Sequence, residues 1–380
     1  MSVNKPLAEK ILLVLICLTA GFFGGTLATR DSTKISNSSS ESQQQIVSSE
    51  SQLIGQIARN VGPSVVSVNV SGVATSSSIF GQNQVEQQSA GTGVIISNDG
   101  VIITNRHVIP TGSTDVSVTL SDGTKLNEVE VIGRTNDSDP LDIAFLKIKD
   151  TKGKKLQAAK LGDSSKVQVG DKVVAIGNAL GQFQNTVTSG IISGYGRSIE
   201  AGDESGNSSE TLQNLFQTDT AINRGNSGGP LVNINSEVIA INTAVAGNAE
   251  NVGFAIPIND VQGLIKSVLR DGKLIRPYLG VRFISLTDDI AYQNNLSTKR
   301  GAYLAPSEGQ PSVLAGSPAE KAGLKDKDII TKINDDSINE NNSLTSVLGR
   351  HSVGDKVMVT IVRDGKEQNL QATLEKAPQL

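Results

Sequence analysis

Apolar positions along this chain follow three regimes. From Ile11 to Leu27 they run almost unbroken, with Lys5 and Lys10 before them and Arg30 and Asp31 after. A membrane-spanning helix needs about 17–25 such residues, so this segment is expected to span at the short end of that range. Lysines on its N-terminal side favour a cytoplasmic N-terminus. Thr26-Leu27-Ala28 leaves open a cleaved signal peptide, and either reading exports the remainder of the chain. From 31 to 51 Ser, Gln, Asn and Glu leave little to bury, which predicts a flexible tether. The third regime begins near Gln52. Leu53, Ile54, Ile57 and Val61 recur at helical spacing up to Pro63, and Val65, Val66, Val68 and Val70 then open a strand.

Residues 72–90, rich in Ser, Gln, Asn and Gly, read as a long polar loop. After them come short Val- and Ile-rich runs separated by turn chemistry: Gly93–Ser97, Val101–Thr104, Val116–Leu120, Val129–Arg134, Asp142–Ile148, Lys172–Ile176, Thr186–Ser193, Leu231–Val232, Val238–Val245 and Gly253–Ile256. Turns such as Asn98-Asp99-Gly100 and Ser121-Asp122-Gly123 argue for antiparallel hairpins. Ile258–Asp271 carries Val261, Leu264, Ile265, Val268 and Leu269 at helical spacing and reads as a connecting helix. Residues 278–376 form a separate small α+β pattern, with a strand at Leu279–Ile284, helices after Ser317-Pro318 and around Leu344–Leu348, and a closing hairpin at Lys356–Val362 and Glu367–Leu374. The expected boundaries are an anchor over 1–30, a linker over 31–51, a mainly β domain over 52–272 and the α+β domain over 273–380.

Composition narrows the chemistry. The formal net charge of −4 indicates no nucleic-acid surface. The single cysteine, Cys17, lies in the N-terminal apolar stretch, so neither a disulfide nor a cysteine metal site is expected in the exported part. Two widely separated histidines give no metal-ligand spacing, and no glycine-rich phosphate loop appears; metal and other cofactors are expected to be none.

Proton transfer near neutral pH most readily uses histidine, and this chain has only His107 and His351. His107 ends the run Val101-Ile102-Ile103-Thr104, Asp142 opens the run Ile143–Ile148, and Ser227 sits among glycines in Gly225-Asn226-Ser227-Gly228-Gly229-Pro230. Serine acyl transfer needs a hydroxyl, a base, an orienter of that base and donors for the developing oxyanion. Ser227, His107 and Asp142 supply the first three, and the backbone amides of Gly225, Asn226 and Ser227 are the candidates for the fourth. Gly225–Gly229 also matches the Gly-X-Ser-X-Gly elbow of α/β-hydrolases, with His351 as formal base. That fold requires a helix after the serine, whereas Pro230 and strand-like runs come next, so this alternative is set aside.

The chain resembles the HtrA/Deg family of serine proteases. The resemblance rests on Thr104-Asn105-Arg106-His107-Val108, on Asp142-Ile143-Ala144-Phe145-Leu146-Lys147-Ile148, on Gln217-Thr218-Asp219 with Ala221-Ile222-Asn223-Arg224 leading into the serine motif, on Arg276-Pro277-Tyr278-Leu279-Gly280-Val281, and on Ser317-Pro318-Ala319-Glu320-Lys321-Ala322-Gly323-Leu324. Anchor, tether and one C-terminal module are most similar to surface HtrA proteins of Gram-positive bacteria.

The resemblance implies a chymotrypsin-like double β-barrel followed by a PDZ domain. It implies ATP-independent endopeptidase activity on unfolded or misfolded exported polypeptides, at the cell surface. It places Ile222 at the floor of the pocket for the residue before the cleaved bond, where an apolar floor suits a small aliphatic side chain. It assigns Ile241, Asn242 and Thr243 to pairing with substrate backbone, and Tyr278, Leu279, Gly280 and Val281 to binding a peptide C-terminus. Arg197, in a segment from Gly194 to Ser208 read as a mobile loop, takes a regulatory role, and a homotrimer or larger assembly is implied. His351 reads as a surface or groove-edge residue, and Lys325-Asp326-Lys327-Asp328 departs from the family pattern at a turn. The rival activity is a non-enzymatic peptide-binding scaffold or holding chaperone; three triad residues in matching contexts favour the protease.

Overall fold

The computed structural model describes residues 49–377 apart from 79–80, 137–138, 140, 180–182, 203–208, 224, 246–251, 307–309 and 340–341. The expected anchor, Cys17 and most of the tether lie outside the described residues. Among those described, no helix is long and apolar enough to cross a membrane. The chain divides into two compact units, Met1–Gln56 and Ile57–Leu380, and the second carries both domains.

Helix α1, over 49–61, leads into that unit and buries Ile57 and Val61 on its inner side, two of the residues spaced for a helix. Seven strands come after it: β1 (Val65–Ser78), β2 (Gly81–Ile95), β3 (Val101–Thr104), β4 (Ser113–Thr119), β5 (Lys125–Leu126), β6 (Val129–Arg134) and β7 (Ala144–Ile148). They form one antiparallel sheet in the order β5-β4-β1-β2-β3-β7-β6. Leu126 at one edge and Val131 at the other reach the same core as Val66, Ile95, Ile102 and Leu146. The sheet therefore curls round on itself, as a twisted sheet must to bury one apolar face.

Six more strands close a second barrel in the order β10-β13-β12-β11-β8-β9. They are β8 (Lys172–Ala179), β9 (Phe183–Gly202), β10 (Ser209–Thr218), β11 (Pro230–Asn233), β12 (Val238–Val245) and β13 (Gly253–Pro257). Val173, Ile192, Phe216, Leu231, Ile239 and Ala255 fill it.

Two expectations are corrected here. Residues 72–90 are no loop: β1 and β2 pair without interruption from Val65↔Val94 to Ser78↔Gly81. The Gly194–Ser208 segment is likewise strand as far as Gly202, with Ser209↔Gly202 and Leu215↔Arg197 in register, while 203–208 lie outside the described residues. Hydrophobic pattern reports burial of side chains; a ladder is held by backbone groups and can continue where no apolar face is needed.

A 3₁₀ turn (Ile258–Val261) and helix α2 (Gln262–Asp271) join the barrels to the C-terminal domain. Leu264, Ile265 and Val268 are buried on α2, worth about 1.5–3 kcal/mol each. Gly272, at φ 63°, ends the helix. The C-terminal domain has the expected parts. Helix Pro318–Ala322 is capped by Ser317 and helix Leu344–Gly349 by Ser343, each serine accepting from the amide three residues on. The hairpin Lys356–Arg363 and Lys366–Thr373 closes the sheet. The expected strand Leu279–Ile284 is broken into shorter pieces, Pro277–Tyr278 and Ile284–Ser285, with a lone bridge at Val281↔Val313 between them.

The two domains meet at α2 and helix Leu344–Gly349. A side chain at Gly263 would strike the carbonyl of Gly349, and one at Gly349 would come within 2.6 Å of the Asp260 carbonyl. Close backbone approach thus requires glycine on both sides. His351 lies at this seam rather than on an open surface: its side chain is 19% exposed and burial lowers its pKa.

Asp260 is wholly buried in the same seam. Burial pushes its carboxyl up to about 6, against the opposing effects of hydrogen bonds from Ser346 and Asn214 and the charges of Arg350 and Arg276. A folded-state pKa above the unfolded one contributes stability that is full below about pH 4 and lost as pH rises through about 6. Asp260→Asn is therefore expected to stabilise the protein at pH 7–8, by at most on the order of 3 kcal/mol, with the difference fading toward pH 4. Calorimetric melting across that range checks it; a difference independent of pH would contradict it.

Candidate active site

Asp142 lies two residues before β7 and His107 three residues beyond β3. Because β3 and β7 pair from Val101↔Lys147 to Thr104↔Ala144, residues distant in sequence are brought together at one end of the first barrel. His107 Nδ1 is 2.6 Å from Asp142 Oδ2, and the His107 backbone N–H donates to Oδ1 at 3.0 Å. Thr243, from β12 of the second barrel, donates its hydroxyl to the same Oδ2 at 2.7 Å. The carboxylate is 1% exposed. Burial alone would push its pKa up, but the charge and hydrogen bond of His107, the Thr243 hydroxyl and the His107 amide together hold it down at about 2. Asp142 is thus ionised at neutral pH and fixes the tautomer of a half-exposed imidazole, leaving Nε2 for proton transfer.

Ser227 lies in a turn between the barrels. Its carbonyl accepts from Thr92 N–H of β2 at 2.9 Å, and the Gly228 amide donates to Asn242 O at 2.8 Å. Thr104, three residues before His107, donates to Thr92 O at 2.7 Å. Gly228 is at φ 81°, where an added side chain would run into Thr92 O and Thr104 Oγ1 and come within 3.2 Å of Asn105 N. The serine turn is therefore packed against the residues that carry the histidine, with Asn242 and Thr243 connecting it to Asp142.

Other expected site residues fare unevenly. Gly225 has φ 115°, and its carbonyl accepts from the Thr92 hydroxyl, which fixes the peptide leading into Asn226. Asn226 does not supply an oxyanion donor in this geometry. Its amide donates to Asn223 O at 3.1 Å, and its side chain bonds Ala221 O and Asn223 N, closing the loop before the serine. Ile222 is 3% exposed and packs with the second-barrel core, where Gly253 leaves room for it. Ile241 and Asn242 cannot pair with a substrate backbone, because β12 is already bonded on both edges there: Ile241 pairs Pro230 and Ile256, and Asn242 exchanges bonds with Gly228 and Gly229 while pairing Ala255. Thr243 falls at a bulge and turns its side chain to Asp142. Past it, Ala244 and Val245 pair β13 alone among the described residues, so the edge open to a peptide begins at Thr243. The short β11 run was the sequence signal for this: four residues cannot cover an eight-residue partner.

In the C-terminal domain Tyr278, Leu279, Gly280 and Val281 form one wall of a cavity of about 520 Å³, with Leu344 and Leu348 on the helix opposite. The carbonyls of Leu279 and Gly280 accept from Ala319 and Leu314, which anchors the loop to its own domain. Asn136, Asp139 and Leu141, from the stretch preceding Asp142, also line this cavity, and Asp139 is ion-paired with Arg276. Arg197, on β9, donates from Nε to Gln217 Oε1 at 3.1 Å.

Comparison with known proteins agrees with this architecture. The trypsin-like peptidase domain family matches residues 91–241, and the PDZ domain family matches 277–374. The chain is 41% identical over 293 residues to the serine protease Do-like HtrB of Bacillus subtilis, covering 75% of this chain and 62% of that one. It is 36% identical over 342 residues to the Do-like HtrA of the same organism, covering 86% and 74%. To the periplasmic serine endoprotease DegP of Escherichia coli it is 39% identical over 303 residues, covering 79% of this chain and 60% of that one. The chain thus spans about three-fifths of the length of HtrB and DegP. A solved structure of the HtrA-type protease AlgW with a decapeptide superposes with TM-score 0.58 at 29% identity, over 86% of this chain and 99% of that one. With two barrels meeting at a His-Asp pair and a glycine-flanked serine, and a PDZ domain beyond them, the chain belongs to the HtrA family of serine proteases.

Proposed function

We propose that this protein is an ATP-independent serine endopeptidase that cleaves unfolded or misfolded exported polypeptides, with the PDZ domain binding peptide C-termini. The observation that carries this reading is the Asp142–His107 contact of 2.6 Å, completed by Thr243 from the second barrel, next to the turn of Ser227. His107 takes the proton of Ser227 Oγ as that oxygen attacks the peptide carbonyl, and later gives it to the leaving amine. Asp142 stays ionised and stabilises the imidazolium between those steps. The Gly225 and Ser227 amides receive the developing oxyanion. The open edge of β12 from Thr243 takes the substrate as an added strand, which reads little sequence and suits unfolded chains. The apolar Ile222 favours a small aliphatic residue before the cleaved bond. Arg197 couples PDZ occupancy to the site through Gln217 and β10, which runs toward Thr218 and Ile222.

The apolar segment 11–27 with its preceding lysines supports a membrane anchor with a cytoplasmic N-terminus and the two domains outside. There the protein would serve in quality control and processing of secreted proteins, in a homotrimer or larger assembly. The test is a fluorophosphonate probe, which forms an oxygen–phosphorus bond to an activated serine and releases fluoride. Mass spectrometry is expected to find the adduct on Ser227, with cleavage of an unfolded casein-type substrate lost in proportion and no dependence on added ATP. Cleavage that continues in fully labelled protein would remove the assignment.

A further inference from the structure

Arg106 precedes the candidate base, yet its side chain turns away from the cleft and is buried, at 1% exposure. Its Nη1 lies 3.1 Å from Thr135 Oγ1, 3.2 Å from Asp139 O and 3.1 Å from Leu141 O, and also bonds Asn136 O. Taking a guanidinium out of water costs several kcal/mol unless acceptors of this kind replace it. An apolar side chain would fill the same volume without that cost. The charge therefore has a use beyond packing: it draws the carbonyls of residues 136, 139 and 141 toward one point.

The flanking residues act on the same target. Asn105 Nδ2 donates to Asp142 O at 2.9 Å, and the His107 amide donates to Asp142 Oδ1 at 3.0 Å. Leu141 O, held by Arg106, belongs to the peptide group whose N–H is that of Asp142. It is held a second time by the Thr135 hydroxyl at 2.5 Å, while the Thr135 backbone N–H donates to Ile143 O at 2.9 Å. Three consecutive residues, 105 to 107, thus grip the peptide groups on both sides of Asp142 as well as its carboxylate. The stretch they grip bears on the PDZ domain through Asp139 and Arg276.

We propose that Arg106 is a positioning residue for the hydrolytic reaction, gathering residues 135, 136, 139 and 141 so that Asp142 presents its carboxylate to His107 in the catalytic orientation. The proposal rests on the protease reading above. Its lever is geometry: displacing a positioned group by about 1 Å can cost on the order of 100-fold in rate. Arg stays protonated at any working pH, so Arg106 adds no titration step of its own to the pH–rate profile.

The test compares wild type, Arg106→Met and Arg106→Lys in the full chain. The readouts are melting temperature, kcat and KM per probe-labelled Ser227, and the low-field proton resonance of the His107 ring N–H facing Asp142. Only two histidines are present, and the resonance is identified by its loss in His107→Ala. Arg106→Met is expected to fold, to lose roughly 100-fold in kcat with KM changed by less than about twofold, and to shift or broaden the resonance. Arg106→Lys is expected to restore most of both, since an ammonium offers three donors to the same oxygens. Should the Met variant fail to fold, Arg106→Gln keeps a donor for the same carbonyls without the charge, and is expected to show the same signature more weakly. Wild-type kcat per labelled serine with an unmoved resonance would overturn the proposal, leaving Arg106 a purely structural residue. Absence of cleavage by wild-type protein would instead count against the protease reading, while the resonance would still report whether Arg106 orients the Asp142–His107 pair.

Discussion

Ser227→Ala, His107→Ala and the double variant are each expected to lose about the same amount of kcat, on the order of 10⁶-fold. The equality is the informative part. Imidazole and hydroxyl act as one device: without the base the hydroxyl is a poor nucleophile, and without the hydroxyl the base has no proton to move. Removing both costs little more than removing either. Asp142→Asn tests a different link. It keeps the shape of the side chain but not its charge, and an amide at 2.6 Å from Nδ1 can present a donor where the imidazole N–H requires an acceptor. The wrong tautomer then faces Ser227, and a loss of about 10⁴-fold is expected with the fold intact. Single-turnover cleavage of a peptide by the set of variants decides it. Additive losses for Ser227 and His107, or an Asp142→Asn enzyme with near-normal turnover, would mean that these three residues do not work together.

Gly228→Ala is expected to have the largest effect on stability of any single methyl addition near the site. Two costs act together. The backbone sits at φ 81°, where a side chain is strained by roughly 1–3 kcal/mol. The new Cβ would also run into Thr92 O and Thr104 Oγ1, which are themselves hydrogen-bonded to each other. Overpacking against a backbone carbonyl adds about 1–3 kcal/mol, because neither strand can give way without breaking the β2–β3 ladder. A total of roughly 2–6 kcal/mol is therefore expected, together with loss of probe labelling at Ser227. Chemical denaturation measures the first and mass spectrometry the second. A variant that melts and labels like wild type would show that the serine turn is not packed against the histidine strand.

Much of the fold was legible because burial leaves a periodic trace. The strands from Val101 to Thr104, Val129 to Arg134 and Val238 to Val245 were found at their observed limits, and α2 where its apolar spacing placed it. The β1–β2 ribbon beyond Val70 and the strand course of β9 past Ser193 were not, since polar residues pair through their backbones without leaving a hydrophobic pattern. His107, Asp142 and Ser227 were legible from residue type and context. The task of Thr243 was not: its hydroxyl looked like one of a substrate strand, and only the bulge after Asn242 turns it onto Asp142. Asn226 was misread because a tight turn can direct an amide inward as easily as outward.

The amino-acid order by itself determined which groups could do chemistry here: one serine among glycines, one histidine at a strand end and one aspartate opening the next, with the His351 alternative weakened by Pro230 and the strands after it. It also pointed to two domains, since apolar periodicity changes character after Asp271. Tertiary structure alone decided which of these groups meet. Hydrogen-bond register between β3 and β7 brings Asp142 to His107, and closure of the second barrel brings in Thr243 and the serine turn. It also decided that Arg106 turns inward to hold the carbonyl of Leu141, next to the aspartate. Register and barrel closure depend on many weak backbone and packing terms summed over strands far apart in the chain, and no local stretch of sequence carries that sum.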